Sequence, residues 1–152
     1  MREILVAPFD AEHLDAVCRM EQRIFPDEPW SRQSFEDELK QPFSLNLTAL
    51  VDGEAAGYLM GSCVADQASV NNLACGESFR RCGVARALMK AFLSQAEQRG
   101  ASRFSLEVRE SNLPAIRLYQ EMGFVPVAKR ARFYHHPTED ALLMVRDTNK
   151  KE

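Results

Sequence analysis

The sequence predicts an α/β fold, in which helices flank a mixed central β-sheet. Segments with alternating apolar residues, typical of strands, stand between segments with apolar residues at every third or fourth position, typical of helices. Their order along the chain is β-α-α-β-β-β-α-β-α-β-β, which favours a mixed sheet with helices on its faces. The 152 residues, 45% of them hydrophobic and 27% charged, suit one globular domain over residues 1–152 with a substantial core.

The chain is predicted to begin with one strand and two helices. Residues 3–8 form the strand, and residues 11–24 form the first helix. Apolar residues recur on one face of that helix at Leu14, Val17, Cys18 and Ile24. Ser31 is a candidate N-cap for a short second helix over residues 31–39, in which Phe35 and Leu39 share one face.

A β-hairpin and a further strand follow. Residues 45–51 alternate between apolar and other side chains, and Asp52-Gly53 supplies a tight turn into residues 54–64. After a polar break, residues 68–75 form the next strand.

The second half is predicted to contain two helices and three strands. A long helix covers residues 84–99 and stops at Gly100, and a buried strand follows at residues 103–108. Ser111 or Asn112 caps the next helix, which Gly123 ends. The inner face of that helix carries Ala115, Leu118, Tyr119 and Met122. The last two strands are residues 124–134 and 139–146, around a loop with both His135 and His136.

Composition excludes several classes of protein. The net charge of −3 argues against direct nucleic-acid binding, which requires a concentrated excess of Lys and Arg. Neither a membrane-spanning apolar stretch nor a secretory signal is recognisable, so we expect a cytoplasmic protein without membrane contact. The four cysteines lack zinc-finger spacing, so we expect free thiols. His13 lies in the predicted first helix, and His135 and His136 lie in a late loop, so a metal site would need ligands from distant segments and we expect none.

The segment SFRRCGVARALM (78–89) is the best candidate for binding chemistry. A helix N-terminus offers unpaired N–H groups and the positive end of the helix dipole, and Gly83 lets an anion approach that backbone. Arg80, Arg81 and Arg86 add positive charge. The alternative is an ordinary glycine turn with solvated arginines, and neither a P-loop nor a dinucleotide-binding glycine motif is present.

Residues 80–85, Arg-Arg-Cys-Gly-Val-Ala, resemble the R/Q-x-x-G-x-G/A pyrophosphate loop of GNAT acetyltransferases. LEVRESNLPAIRLYQEMGF (106–124) resembles the corresponding stretch of the RimI family within them, bacterial ribosomal-protein-alanine N-acetyltransferases. FPDEPWS (25–31) and RFYHHPTEDALLM (132–144) are similar to that family's P-W-S loop and its ending. Two positions depart from the pattern, since Cys75-Gly76-Glu77 replaces the usual valine and turn, and Ala85 replaces the last glycine.

The resemblance implies acetyl-coenzyme A as co-substrate, with no metal. It implies that the pyrophosphate binds at Arg81, Cys82, Gly83, Val84, Ala85 and Arg86. It implies that backbone N–H groups of Leu73, Ala74 and Cys75 polarise the thioester carbonyl. Asn112 is a further cofactor contact by the same resemblance, although it could merely cap its helix.

Two catalytic residues are also implied. The predicted strand 68–75 has no carboxylate, and Glu107 matches the family's proton acceptor; a charge inside the apolar stretch FSLEV also needs an explanation. The alternative for Glu107 is a surface carboxylate on the polar face of an edge strand. Tyr119 matches the proton donor to the departing thiolate, and its alternative is a core aromatic side chain.

The function implied is Nα-acetylation of a protein N-terminus, above all the N-terminal alanine of a small-subunit ribosomal protein. An acetyltransferase acting on a small amine, such as an antibiotic or polyamine, is the main alternative, and a non-catalytic acetyl-coenzyme A binding module is another. Acidic residues around Trp30 would attract a basic acceptor, unless they are a solvated helix face. They are Asp27, Glu28, Glu36, Asp37 and Glu38.

Overall fold

The computed structural model describes residues 3–80 and 83–148 and confirms the α/β prediction. Within these residues, seven strands form one mixed sheet in the order β1-β2-β3-β4-β5-β7-β6. The elements are β1 Ile4–Pro8, α1 Leu14–Ile24, α2 Arg32–Lys40, β2 Ser44–Val51, β3 Glu54–Val64, β4 Gln67–Cys75, α3 Val84–Gln98, β5 Arg103–Arg109, α4 Leu113–Glu121, β6 Val125–Tyr134 and β7 Glu139–Asp147. Their order is the one the sequence predicts.

Local signals in the sequence place most element boundaries. Ser31 is the N-cap of α2, with its hydroxyl accepting a hydrogen bond from the Ser34 amide at 3.0 Å. Asp52 and Gly53 both have positive φ, 53° and 79°, as two-residue hairpin loops with a type I′ turn require. The predicted first helix is wrong at its start, because residues Ala11–His13 form a 3-10 turn capped by Asp10.

The two faces of the sheet are covered by different helices. On one face α3 and α4 bury a large apolar cluster that includes Leu88, Phe92, Phe104 and Tyr119. On the other face α1 and α2 form a smaller cluster, which consists of Phe9, Leu14, Val17, Phe35, Tyr58, Met60 and Ala74. Among the residues described, no helix combines the length and apolar character needed to cross a membrane.

A gap opens in the middle of the sheet between β4 and β5. Their parallel pairing runs from Gln67 opposite Arg103 to Val70 opposite Leu106, whereas β4 extends to Cys75 and β5 to Arg109. Beyond Val70, β4 stays paired with β3, with a bulge at Asn71, and β5 stays paired with β7. A bulge bends the strand that carries it, so the two strands diverge from this point.

Candidate active site

The gap between β4 and β5 is the floor of a cleft of about 650 Å³. Residues 70–73 of β4 and 106–109 of β5 line its floor. Residues 24–28 with Trp30 form one wall, and residues 133–137 with Glu139 form the other. Ser111 and Asn112 add to the cleft just before α4 begins, and Tyr119 adds to it from the second half of that helix. The cleft therefore brings together four residues predicted from the sequence, which are Leu73, Glu107, Asn112 and Tyr119.

Glu107 lies on β5 in the floor of the cleft, with its side chain 30% exposed. β5 is an interior strand between β4 and β7, so the alternative of an edge-strand carboxylate is wrong. The guanidinium of Arg130, from β6, makes a close ion pair with the Glu107 carboxylate. An amine that reaches this carboxylate must share it with Arg130 or displace the guanidinium.

Tyr119 is both a core side chain and a cleft residue, so its burial in the core does not exclude it from the cleft. Its side chain is buried on α4, with the ring centroid 6.1 Å from that of Phe124. Burial, with a smaller contribution from Tyr134, raises the pKa of Tyr119 to about 12. The phenol is therefore protonated at neutral pH and can serve as a proton donor.

Of the two candidate caps, Ser111 and Asn112, it is Asn112 that caps α4. Its side-chain oxygen accepts a hydrogen bond from the Ala115 amide at 3.3 Å. The same residue lines the cleft, so capping and a cofactor contact are compatible roles. Ile116, one turn into the helix, is buried, although the predicted inner face omitted it.

A network at the second wall of the cleft was not anticipated from the sequence. The Arg109 guanidinium lies 4.5 Å from the centroid of the Tyr134 ring and donates to the carbonyl oxygens of His135 and Pro137 at 3.1 and 3.0 Å. Glu139 accepts a hydrogen bond from the Ser111 amide at 2.6 Å. Hydrogen bonding with Ser111, assisted by Arg109, lowers the pKa of Glu139. These contacts tie the β6–β7 loop to the start of α4.

Glu21 of α1 is the second feature that the sequence interpretation missed. It lines the cleft but its side chain is buried, with only 1% of the residue exposed. Its carboxylate accepts hydrogen bonds from Tyr58, Asn72 and the backbone of Trp30. A signal was available, because Glu21 follows Leu14 and Val17 by seven and four residues and so stands on the apolar face of the helix.

The three β4 residues predicted to contact the thioester have different surroundings. Leu73 lines the cleft, Ala74 is buried in the smaller core, and Cys75 is partly buried at the end of the strand. All three are paired with β3, opposite Leu59, Tyr58 and Gly57. They lie beyond Val70, the point where the pairing of β4 with β5 ends.

The predicted pyrophosphate loop is at the N-terminus of α3. Gly83 is the N-cap, in the left-handed conformation with φ of 83°, and a Cβ built there would meet only Ile4, at 3.8 Å. The first intrahelical bond runs from the Ala87 amide to the Gly83 carbonyl, so the amides of Val84, Ala85 and Arg86 precede it. N–H groups that precede the first intrahelical bond, beside a residue without a side chain, fit an anionic pyrophosphate.

Two side chains of the predicted pyrophosphate loop already have contacts within the protein. The Val84 side chain is buried in the larger core, so only its backbone is available to a ligand. Arg86 forms a close ion pair with Glu121 of α4, and its side chain is 45% exposed. Arg81 and Cys82 lie outside the described residues.

The acidic residues around Trp30 divide into two groups. Asp27 and Glu28 line the cleft. Glu36, Asp37 and Glu38 belong to α2 and are absent from the described lining, and Glu36 and Asp37 contact Arg32 and Gln33 of the same helix. In the described lining, the acidic rim of the cleft therefore includes Asp27 and Glu28 but not the three predicted carboxylates of α2.

The cysteine and histidine side chains are the first candidates for metal ligands. Cys18 and Cys63 are free thiols, and Cys82 lies outside the described residues. Contrary to the expectation that ligands would come from distant segments, Asp10, Glu12 and His13 bring three ligand atoms within 4.8 Å of one another. Helix capping explains this group, since Asp10 and His13 form a reciprocal capping box at the 3-10 turn.

Comparison with known proteins identifies the family. The sequence pattern of the acetyltransferase (GNAT) family matches residues 14–124. The chain therefore belongs to the GNAT family, and it is an acetyl-coenzyme A dependent N-acetyltransferase.

Its similarity to particular members is also extensive. Over 143 residues it is 32% identical to the ribosomal protein bS18-alanine N-acetyltransferase of Escherichia coli (strain K12), covering 91% of this chain and 94% of that one. It is 33% identical over 144 residues to an N-alpha-acetyltransferase of Sulfurisphaera tokodaii, covering 86% and 85%. The crystal structure of the E. coli ribosomal-protein-S18-alanine N-acetyltransferase superposes with a TM-score of 0.89 at 29% identity, covering 99% of this chain and 97% of that one. The resemblance to RimI-type enzymes is confirmed.

Proposed function

We propose that this enzyme acetylates the α-amino group of a protein N-terminus, and that its acceptor is the N-terminal alanine of a small-subunit ribosomal protein. The observation that carries the proposal is a cleft between two loops, with Glu107 in its floor and several carboxylates along its lining. The names of the relatives support the same acceptor, since the E. coli enzyme is a ribosomal protein bS18-alanine N-acetyltransferase. The S. tokodaii relative is likewise an N-alpha-acetyltransferase.

Charge in the cleft favours a cationic acceptor. The described lining carries five carboxylates, which belong to Glu21, Asp27, Glu28, Glu107 and Glu139, and one guanidinium, that of Arg109. Arg109 and Glu139 contact each other, with 3.3 Å between guanidinium and carboxylate, and Glu107 is paired with Arg130 of β6. Asp27 and Glu28 are therefore left to attract positive charge from the acceptor. An N-terminal ammonium followed by basic residues, as is common in ribosomal proteins, suits this field.

Glu107 and Tyr119 divide the proton transfers in the proposed mechanism. An α-amino group has an ordinary pKa near 8 and attacks a thioester only when neutral, so Glu107 takes its proton, directly or through water. The neutral amine nitrogen then bonds to the acetyl carbon, the carbon–sulfur bond breaks, and the second proton of the nitrogen is released to solvent as the amide forms. Tyr119, which is protonated at neutral pH, donates its proton to the departing sulfur.

Backbone groups bind the acetyl donor in this proposal. The amides at the N-terminus of α3, at Gly83, Val84, Ala85 and Arg86, hold the pyrophosphate together with Arg81 and Cys82. Asn112 contacts the donor from α4, and Leu73, Ala74 and Cys75 direct N–H groups at the thioester carbonyl. Arg86 serves the pyrophosphate only after it leaves Glu121.

We also propose that the 152 residues act as one domain in the cytoplasm, without metal and without direct contact to nucleic acid or membrane. A single experiment can distinguish a protein N-terminus from the other possible acceptors.

Peptides that differ only in their first residue test the acceptor. We expect acetylation of a basic, lysine-containing peptide that starts with alanine, and poor acetylation when its first residue is bulky. When the α-amine of the same peptide is blocked, we expect no acetylation, because its internal lysines are not acceptors. Mass spectrometry locates the acetyl group on each product. Because Asp27 and Glu28 act over distance, kcat/KM for the basic peptide should fall as salt is raised, and more so than for a neutral alanine peptide.

Two results would contradict the proposal. Selective modification of lysine side chains would assign the enzyme to a different protein substrate. Turnover with polyamines or aminoglycosides, and with none of the peptides, would make it an acetyltransferase of small amines.

A further inference from the structure

Among the residues that the structure describes, Glu21 is the one charged residue that is buried. A glutamate is rarely fully buried unless it is paired, yet Glu21 is 1% exposed on the apolar face of α1. The mechanism above does not use it. A carboxylate buried there requires hydrogen-bond donors, and the identity of those donors indicates what it does.

Three neutral groups among the described residues donate to Glu21. The Tyr58 hydroxyl and the Asn72 side-chain amide donate to Oε1 at 2.5 and 3.0 Å. The backbone N–H of Trp30 donates to Oε2 at 2.8 Å. The two oxygens therefore face in different directions, Oε1 toward the sheet and Oε2 toward the loop that follows α1.

These donors belong to separate parts of the cleft. Tyr58 is on β3, and Asn72 is on β4 beside the bulge at Asn71, where the strand leaves β5. Trp30 is in the loop that forms one wall of the cleft, and its ring packs on Phe35 with centroids 5.2 Å apart. One carboxylate thus connects the cleft wall to the strand at the floor of the cleft.

We propose that Glu21 is a positioning residue, which holds the Trp30 loop at a fixed distance from β4 and so sets the width of the acceptor cleft. The inference rests on the proposed function, because that proposal assigns the Trp30 loop to the acceptor. Glu21 itself takes no proton and touches no reacting atom in this account. Its role is to keep the wall in place so that an N-terminal amine arrives over Glu107.

A carboxylate is required because all three of its partners are donors. In Glu21→Gln the side-chain oxygen can replace Oε1 and keep Tyr58 and Asn72, but the new NH₂ group then faces the Trp30 N–H. The substitution therefore keeps the volume and the contacts to the sheet while it releases the loop. Tyr58→Phe is the matched control, because it removes one donor to Oε1 and leaves the Trp30 contact in place.

Trp30 is the only tryptophan in the chain, so its fluorescence reports on this loop alone. We expect Glu21→Gln to shift its emission to longer wavelength and to increase quenching by acrylamide, while Tyr58→Phe stays near wild type. With the alanine peptide, Glu21→Gln should raise the acceptor KM about tenfold, roughly the loss of one hydrogen bond to a charged group, with kcat changed far less. The dissociation constant of acetyl-coenzyme A, from calorimetry, should stay within about twofold of wild type.

The outcomes separate this inference from the proposed acceptor. Unchanged Trp30 quenching in Glu21→Gln, or equal effects in Glu21→Gln and Tyr58→Phe, would overturn the positioning role. If the wild type does not acetylate the peptide but Trp30 quenching still rises in Glu21→Gln alone, the acceptor assignment fails and Glu21 still holds the loop. Hydrogen exchange in the wild type is a test that needs no variant: the Trp30 amide should be protected, and rapid exchange there would contradict the proposal.

Discussion

At the scale of single residues, Glu107 and Tyr119 have opposite environments that suit opposite tasks. Glu107 is partly exposed in the cleft floor beside the Arg130 guanidinium. Tyr119 is buried, and burial raises its pKa to about 12. These environments suit the roles proposed for the two residues, because a substrate amine can reach the Glu107 carboxylate and the Tyr119 phenol stays protonated throughout the neutral range.

The substitutions Glu107→Gln and Tyr119→Phe test these roles. Each removes a proton-transfer group and little volume, so we expect kcat to fall by about a hundredfold to ten-thousandfold. Affinity for acetyl-coenzyme A, measured by calorimetry, should change little. Tyr134→Phe is a matched control for Tyr119→Phe, because Tyr134 lines the same cleft and also has a pKa raised to about 12, chiefly by burial.

Near wild-type turnover in both Glu107→Gln and Tyr119→Phe would contradict the catalytic assignment and favour a binding module. A loss in Tyr134→Phe as large as that in Tyr119→Phe would mean that the rate depends on the packing of the cleft and not on one donor.

The residues of the site were predictable from the sequence to different degrees. Leu73, Glu107, Asn112 and Tyr119 meet in one cleft, because the sequence motifs that suggested them lie on adjacent parts of the fold. Glu21 was missed because its partner Asn72 is 51 residues away, and spacing along a helix predicts a face but not what that face contacts. The ion pair of Glu107 with Arg130 depends on strand order in the same way.

At the scale of elements, the strands were predictable but their separation was not. A polar break before residue 68 and the apolar segment at residues 103–108 located β4 and β5, yet neither signal predicts that their pairing ends at Val70 and Leu106. That end point results from the bulge at Asn71 and from the competing pairings with β3 and β7. Register is a property of both partner strands, so one strand's pattern does not determine it.

The N-terminus of α3 provides the prediction at this scale. Gly83→Asp places a negative charge at the proposed pyrophosphate site, and Gly83→Asn is its neutral control of nearly equal shape. Both side chains tolerate the positive φ at Gly83 better than most residues do, so the backbone strain is matched. We expect acetyl-coenzyme A to bind about tenfold more weakly to the Asp variant than to the Asn variant, a difference of roughly 1.4 kcal/mol.

Calorimetry at two salt concentrations measures this difference, which should shrink at high salt because it is electrostatic. Equal affinities in the two folded variants would remove Gly83 and the start of α3 from the donor site.

At the scale of the whole molecule, all three tyrosines are held in the protonated form. They are Tyr58 on β3, Tyr119 on α4 and Tyr134 at the end of β6, and all three line the cleft or the core beneath it. Burial is the main cause in each case: it raises the pKa of Tyr119 and Tyr134 to about 12 and raises that of Tyr58 well above its ordinary range. The fold around the cleft therefore contains phenols that ionise in place only at a pH well above the ordinary tyrosine pKa.

This arrangement predicts how stability changes in alkali. The unfolded chain loses phenol protons near pH 10, the ordinary tyrosine pKa, whereas the folded protein keeps them. The folded state then binds more protons than the unfolded state, so the free energy of unfolding is fully retained below about pH 10 and falls as pH rises toward about 12. For Tyr119 alone the free energy of unfolding falls by roughly 2–3 kcal/mol, because its pKa is raised by two units.

Urea unfolding at a series of pH values measures how the free energy of unfolding falls with pH, and this slope should be shallower in Tyr119→Phe. Ultraviolet absorbance of tyrosinate should rise only together with loss of the folded circular-dichroism signal, and tyrosinate appearing near pH 10 in a still folded protein would contradict the buried environment of these rings.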